Sequence, residues 1–103
     1  MKRIYLAICG LVFAASSSAA DFEVEQKNKA FSASKLSIKV GDSISFKNGD
    51  PFNHNVFSLS DVKSFDLGSY PIGQAKKVTF DKAGTVEVEC AIHPQMKLMV
   101  DVK

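Results

Sequence analysis

The chain has few of the side chains that carry most metal and nucleophile chemistry. Its 103 residues include two cysteines, two histidines, three methionines and no tryptophan. Charge is nearly balanced, with 13 Lys and Arg against 11 Asp and Glu. The lysines are scattered, so no basic patch favours binding to nucleic acid. Because cysteine and histidine are so scarce, any segment that gathers them is informative about chemistry.

A long apolar run is present only at the N-terminus. Lys2 and Arg3 give a basic start, residues 4–15 are apolar, and residues 16–20 are small. The apolar run is shorter than the roughly 20 residues that a membrane-spanning helix needs. This layout is typical of a secretory signal peptide. We therefore predict a removed signal peptide at 1–20, one domain at 21–103, secretion out of the cytoplasm and no membrane span.

Removal of the signal peptide changes both the charge and the thiol count. Lys2 and Arg3 leave with it, so residues 21–103 carry equal numbers of positive and negative charges. Cys9 leaves as well, and Cys90 becomes the only thiol. An internal disulfide is then impossible, although the expected compartment is oxidising. A bound metal would occupy this otherwise reactive thiol.

Residues 21–103 alternate apolar and polar side chains with a period of two, which is typical of strands. No helical period exceeds about two turns, and polar turns separate the short runs. This pattern predicts an all-β domain, either a two-sheet sandwich or a barrel. Four phenylalanines are expected in its core: Phe31, Phe46, Phe57 and Phe80. One alternating set is expected to share a buried strand face: Leu36, Ile38 and Val40.

The scarce side chains lie in two segments, around His54 and in Cys90-Ala91-Ile92-His93-Pro94-Gln95-Met96. One thiolate, two imidazoles and one thioether form the ligand set that holds a single copper ion with a weak axial methionine. The spacing Cys-x2-His-x2-Met, at the end of a predicted strand, supports this interpretation. We therefore predict a copper site formed by His54, Cys90, His93 and Met96.

Strand parity distinguishes the two methionines near the C-terminus. Met96 is in register with the apolar residues of the last strand, whereas Met99 is in register with charged Lys97. Met96 is therefore the predicted axial ligand, and Met99 a partly exposed packing residue. Asn55 directly follows His54 and is predicted to tune the site without binding the metal.

The sequence resembles the cupredoxins, the type 1 blue copper proteins, over essentially all of residues 21–103. The resemblance rests on Asn53-His54-Asn55-Val56 and on the segment from Cys90 to Met96, whose spacing is that of the short-loop, amicyanin-like members. It implies a Greek-key β-sandwich and copper bound by His54, Cys90, His93 and Met96. It further implies one-electron transfer in the periplasm by a monomer with transient redox partners.

The resemblance also implies a surface for electron exchange. The ring of His93 is expected to emerge from the protein and to act as the electron port, surrounded by Ile92, Pro94 and Phe52. If His93 leaves reduced copper and binds a proton, the reduction potential should rise as the pH falls.

Two other functions compete with electron transfer. A copper delivery or tolerance protein would need additional methionines or histidines beside an open site, and Met99 is the only spare one in residues 21–103. A Cys–His hydrolase is disfavoured because so small a domain lacks room for a substrate cleft and Met96 would have no role. We therefore expect a carrier rather than an enzyme.

Overall fold

The computed structural model describes residues 19–103, and residues 1–18, which hold most of the predicted signal peptide, lie outside the described residues. The described chain contains nine strands and no helix. The strands are β1 (Asp21–Lys27), β2 (Ala30–Phe31), β3 (Lys35–Ile38), β4 (Ser43–Asn48), β5 (His54–Leu59), β6 (Ser64–Tyr70), β7 (Ala75–Thr79), β8 (Gly84–Cys90) and β9 (Lys97–Val102). No helix long and apolar enough to cross a membrane occurs in this part of the chain.

The strands form two sheets. One has the order β2-β1-β4-β7 and the other the order β3-β9-β8-β5-β6. Strands β1 and β4 pair in parallel, as do β3 and β9, and the remaining neighbours are antiparallel. The chain crosses repeatedly from one sheet to the other, as a Greek-key sandwich requires. The predicted all-β sandwich in a single domain is therefore confirmed.

The core lies between the two sheets. Each strand turns alternate side chains inward, so the apolar residues of both sheets meet in one layer. That layer consists of Val24, Ile38, Ile44, Phe46, Val56, Tyr70, Val78, Phe80, Val86, Val88, Leu98, Val100 and Val102. The inward face of β8 ends at Cys90 and that of β5 begins at His54, so the core face leads directly to the predicted site.

Three expectations about the strands were wrong or incomplete. Strand β3 ends at Ile38, and Val40 is 48% exposed because the chain turns before reaching it. Phe57 lies between buried Val56 and Ser58 on β5, so it belongs to the outer face rather than the core. Strand β6 was not predicted, because its alternation of apolar and polar residues is weak and a glycine interrupts it. This glycine, Gly68, has a positive φ of 72° in the structure.

Candidate metal centre

His54 and Cys90 meet because their strands are neighbours. His54 is the first residue of β5 and Cys90 the last of β8, and these strands pair antiparallel with Val56 opposite Cys90. Both side chains point toward the core and are buried. Nδ1 of His54 lies 3.6 Å from Sγ of Cys90. The register of two strands therefore places the thiol beside one imidazole.

The loop between β8 and β9 supplies the second imidazole. A turn closes this loop, with the backbone N–H of Met96 donating to the carbonyl of His93 at 2.9 Å. Nδ1 of His93 then lies 3.9 Å from Sγ of Cys90. The two imidazole nitrogens and the sulfur all lie within 4.8 Å of one another. Among the described residues, this is the one group of His, Cys, Asp or Glu side chains with such spacing.

These separations fit one small metal ion shared by the three side chains. Metal bonds of about 2.3 Å to sulfur and about 2.0 Å to nitrogen, at an angle of about 120°, place sulfur and nitrogen about 3.7 Å apart. The observed separations are 3.6 and 3.9 Å. A soft thiolate together with two imidazoles is also a donor set that suits copper. The residues therefore fit a copper ion in both spacing and chemistry.

The two methionines of the C-terminal segment lie on opposite faces of the sheet. Met96 is 1% exposed, at the end of the loop that carries His93. Met99 is 36% exposed, on the outer face of β9. Their placement agrees with the parity argument. Met96 is therefore buried on the core side of the chain, near the loop that carries His93, whereas Met99 is turned toward solvent.

Aromatic rings cover the outer side of the cluster. The Phe52 ring centroid lies 5.3 Å from that of His54 and 5.3 Å from that of His93. The two imidazole centroids are 5.2 Å apart. His93 is half-buried, whereas Phe52, Ile92 and Pro94 are exposed. The cluster is thus sealed from inside by the core and reaches the surface at His93.

The environment of His93 favours its neutral form. Burial is the largest influence that lowers the pKa of His93, and the nearby charges of His54 and Lys29 lower it further, against a smaller raising effect of Asp50. A neutral imidazole has a lone pair free to bind a metal. Burial and the neighbouring charges therefore favour the form of His93 that can bind a metal.

Asp50 is a buried carboxylate that was not among the predicted site residues. Its Oδ2 lies 2.7 Å from Nε2 of His54. It also accepts backbone N–H bonds from Asn28 at 2.7 Å and from Lys29 at 3.1 Å. Burial is the largest influence on the pKa of Asp50 and raises it, but the bonds from His54, Lys29 and Asn28 together lower the pKa below its ordinary value.

Asn55 faces away from the cysteine. With its amide nitrogen turned toward β6, it donates to Oδ1 of Asp66 at 3.0 Å and to the carbonyl of Gly68 at 3.2 Å. Its own carbonyl accepts the backbone N–H of Ala91 at 2.9 Å. Asn55 therefore ties the first residue after Cys90 to β5 through its backbone, while its side chain binds β6.

A second polar residue, Asn48, shapes the approach to His54. Its Nδ2 donates to the carbonyls of Phe52 and Tyr70, each at 2.9 Å. Its Oδ1 accepts the backbone N–H of Asp50 at 2.8 Å. One buried side chain thus fixes the turn between β4 and β5, from which Asp50 and Phe52 extend. This network explains how the short segment before His54 holds its shape.

Fold and site together define a cupredoxin. A model of the copper binding proteins of the plastocyanin/azurin family matches residues 18–103, and the chain belongs to that family. The cofactor of this family is copper, which agrees with the donor set of the cluster.

Within this family, the chain is similar to two curated proteins and to a solved structure of an amicyanin. The chain is 32% identical to the methylamine utilization protein MauL of Methylorubrum extorquens over 100 residues, which cover 96% of this chain and 88% of MauL. It is 33% identical to amicyanin of Paracoccus denitrificans over 72 residues, 67% of this chain and 55% of amicyanin. A solved structure of a methionine-to-alanine mutant of amicyanin, in the Cu(I) form, superposes with a TM-score of 0.75 at 28% identity, covering 88% of this chain and 90% of that one.

Proposed function

We propose that this protein is a periplasmic one-electron carrier whose copper ion is held by His54, Cys90, His93 and Met96. One observation carries the proposal: a buried thiol and two imidazole nitrogens lie within 4.8 Å of one another, and one of the imidazoles reaches the surface. A copper ion bound there supplies a one-electron couple between Cu(I) and Cu(II).

The chain's own residues perform two tasks in this part of the proposal. His54 and Cys90 are held by the strand register of a sandwich, so their donor atoms stay in place when the charge of the site changes. Met96 closes the site from the core side and excludes water. A rigid site suits both oxidation states, and little rearrangement then accompanies each transfer.

The proposed route for the electron passes through the ring of His93. Its neighbours Phe52 and Ile92 are 37% and 52% exposed, and Pro94 is also exposed. Such a small apolar surface around a half-buried ligand suits brief contact with redox proteins rather than stable association. The equal numbers of opposite charges in residues 21–103 agree with weak, non-steered encounters.

Absorption spectroscopy tests the proposal directly. The exported protein, loaded with copper and oxidised, should be intensely blue because the thiolate of Cys90 transfers charge to the metal. Cys90→Ala should abolish the colour. A colourless wild-type protein that binds only Cu(I) would overturn the carrier proposal in favour of copper delivery or tolerance.

The location is tested by a separate experiment. The chain expressed from its own start codon should be recovered from the periplasmic fraction, and N-terminal sequencing should begin at Asp21. Recovery of an uncleaved chain from the cytoplasm would contradict the export proposal without affecting the copper proposal.

A further inference from the structure

We propose that Asp50 is a positioning residue of the copper site: its carboxylate holds His54 with Nδ1 directed at Cys90, and its negative charge lowers the reduction potential. This inference rests on the proposed function, since it concerns the same site. It names a residue that does not bind the metal and yet sets a property of the carrier.

The contact with Asp50 determines which ring nitrogen of His54 carries the hydrogen. A carboxylate can only accept a hydrogen bond, so the 2.7 Å contact of Oδ2 of Asp50 requires a hydrogen on Nε2 of His54. A neutral ring then carries its lone pair on Nδ1, the atom 3.6 Å from Sγ of Cys90. Asp50 therefore selects the tautomer that can bind a metal beside the thiol.

The carboxylate of Asp50 is itself held in place by hydrogen bonds. Both of its oxygens are engaged, Oδ1 by the N–H of Asn28 and Oδ2 by the N–H of Lys29 in addition to His54. Asn28 and Lys29 form the turn between β1 and β2, with φ values of 57° and 59°. The backbone of that turn thus braces Asp50, and Asp50 braces His54. The turn, which lies more than 20 residues before Asp50 in the sequence, thus forms one connected unit with Asp50 and His54.

The negative charge of Asp50 acts on the reduction potential of the copper site. Asp50 is 3% exposed, so water screens its charge poorly. A negative charge hydrogen-bonded to a ligand stabilises the site more when the metal carries two positive charges than when it carries one. The carboxylate also increases electron donation by the imidazole. Both effects favour Cu(II) and therefore lower the potential.

The chain offers a matched control in Asp42. This carboxylate is also buried, 5% exposed, and also accepts two backbone N–H bonds, from Ala20 at 2.8 Å and from Lys39 at 2.9 Å. It has no bond to a histidine in the described structure. Asp42 precedes β4 and Asp50 follows it, so the length of a six-residue strand, about 20 Å, separates the two carboxylates.

The test compares Asp50→Asn with Asp42→Asn. In Asp50→Asn the introduced amide oxygen still accepts the bond from His54, so the protein should remain blue, but the charge is gone. We expect the Cu(I)-to-Cu(II) affinity ratio to rise about tenfold, a positive shift of about 59 mV for a one-electron couple. Asp42→Asn should leave the potential at the wild-type value, although it removes an equally buried charge.

Two results would overturn the inference. The first is a reduction potential that stays unchanged or falls in Asp50→Asn. The second is an equal rise of the reduction potential in Asp42→Asn, which would show that any lost negative charge has the same effect. The blue colour of the wild type reports the proposed function separately, so the two failures are distinguishable. Asp50→Ala should further weaken Cu(II) binding by about 10- to 100-fold.

A measurement on the unaltered protein covers the case in which Asp50 variants do not fold. In the metal-free wild type, NMR of the imidazole nitrogens should find a slowly exchanging hydrogen on Nε2 of His54 and none on Nδ1. A hydrogen on Nδ1 would contradict the positioning role, whatever the behaviour of the copper form.

Discussion

At the scale of single residues, the site depends on which side chains point inward. Met96 and Met99 are chemically identical and three positions apart, yet one is buried at the loop end and the other lies on the outer face of β9. They therefore form a pair of test and control for the proposed fourth ligand.

We predict that Met96→Leu changes the copper site and Met99→Leu does not. Loss of the thioether removes a donor that stabilises Cu(II), so Met96→Leu should raise the potential by roughly 59 mV for each tenfold change in relative affinity. The swap conserves volume and should cost less than about 1.5 kcal/mol of stability. Redox titration followed at the blue band measures the shift. An altered spectrum in Met99→Leu with an unaltered one in Met96→Leu would refute the assignment.

Asp42 gives a residue-scale prediction about acid. Backbone hydrogen bonds from Ala20 and then Lys39 lower the pKa of Asp42 against the opposing effect of burial, and the charge of Lys39 adds to them. Its contribution to stability is therefore present above the unfolded-state pKa near 3.8 and is lost as the pH falls through the lower folded-state pKa.

Asp42→Asn should consequently destabilise the domain at neutral pH and have progressively less effect in acid. Urea unfolding at a series of pH values measures the difference between the two proteins. A difference that is constant from neutral to strongly acidic pH would show that the charge of Asp42 contributes nothing.

Residues also show where sequence reasoning succeeds. Parity correctly oriented Cys90 and His54, because a strand allows only two directions for a side chain. Met96, one residue before β9, is buried like Leu98 and so keeps the same register. Asp50 escaped prediction because the segment Asn48-Gly49-Asp50-Pro51 is typical of a turn, and nothing local shows that a turn carboxylate will meet a histidine. That contact depends on the path of the chain between β4 and β5.

At the scale of elements, strands with clear alternation were predictable and weakly patterned ones were not. The burial of β8 and β9 follows their sequence alternation closely. Strand β6 has exposed and half-buried residues on both faces, and its pairing with β5 includes a bulge between Asn55 and Phe57. The partner of an edge strand is set by the sheet, so its own sequence carries little information.

The start of β8 provides an element-scale prediction. Gly84 has a φ of 139°, and a Cβ at this position would lie 2.5 Å from Cγ2 of Val62. Gly84→Ala should therefore destabilise through both backbone strain and overlap, each on the order of 1–3 kcal/mol.

Gly41 is the control for this substitution. It also has a positive φ, of 98°, but a Cβ there meets nothing within 4 Å. Gly41→Ala should thus show the backbone strain alone. Denaturant unfolding of both variants measures the difference, and equal losses would rule out the overlap with Val62.

At the scale of the whole molecule, a bound copper ion would join the ends of two neighbouring strands of one sheet, β5 and β8, to the loop between β8 and β9. Copper that binds the folded state alone stabilises it by about 2.7 kcal/mol when free copper is about 100 times its dissociation constant. For a domain of this size, calorimetry should show a rise in Tm of about 10–20 °C. Cys90→Ala should show almost none. A similar rise in that variant would place the stabilising copper elsewhere on the protein.

The placement of the cluster has a consequence for how such proteins diversify. Cys90, His93 and Met96 fall within seven consecutive residues that join β8 to β9, whereas His54 is supplied by the sandwich. Residues 91–95 contribute nothing to the buried core layer, so an insertion confined to them can change the spacing of the proposed ligands while that layer stays in place. Evolution can therefore change the redox chemistry of this domain through the loop while the β-sandwich stays the same.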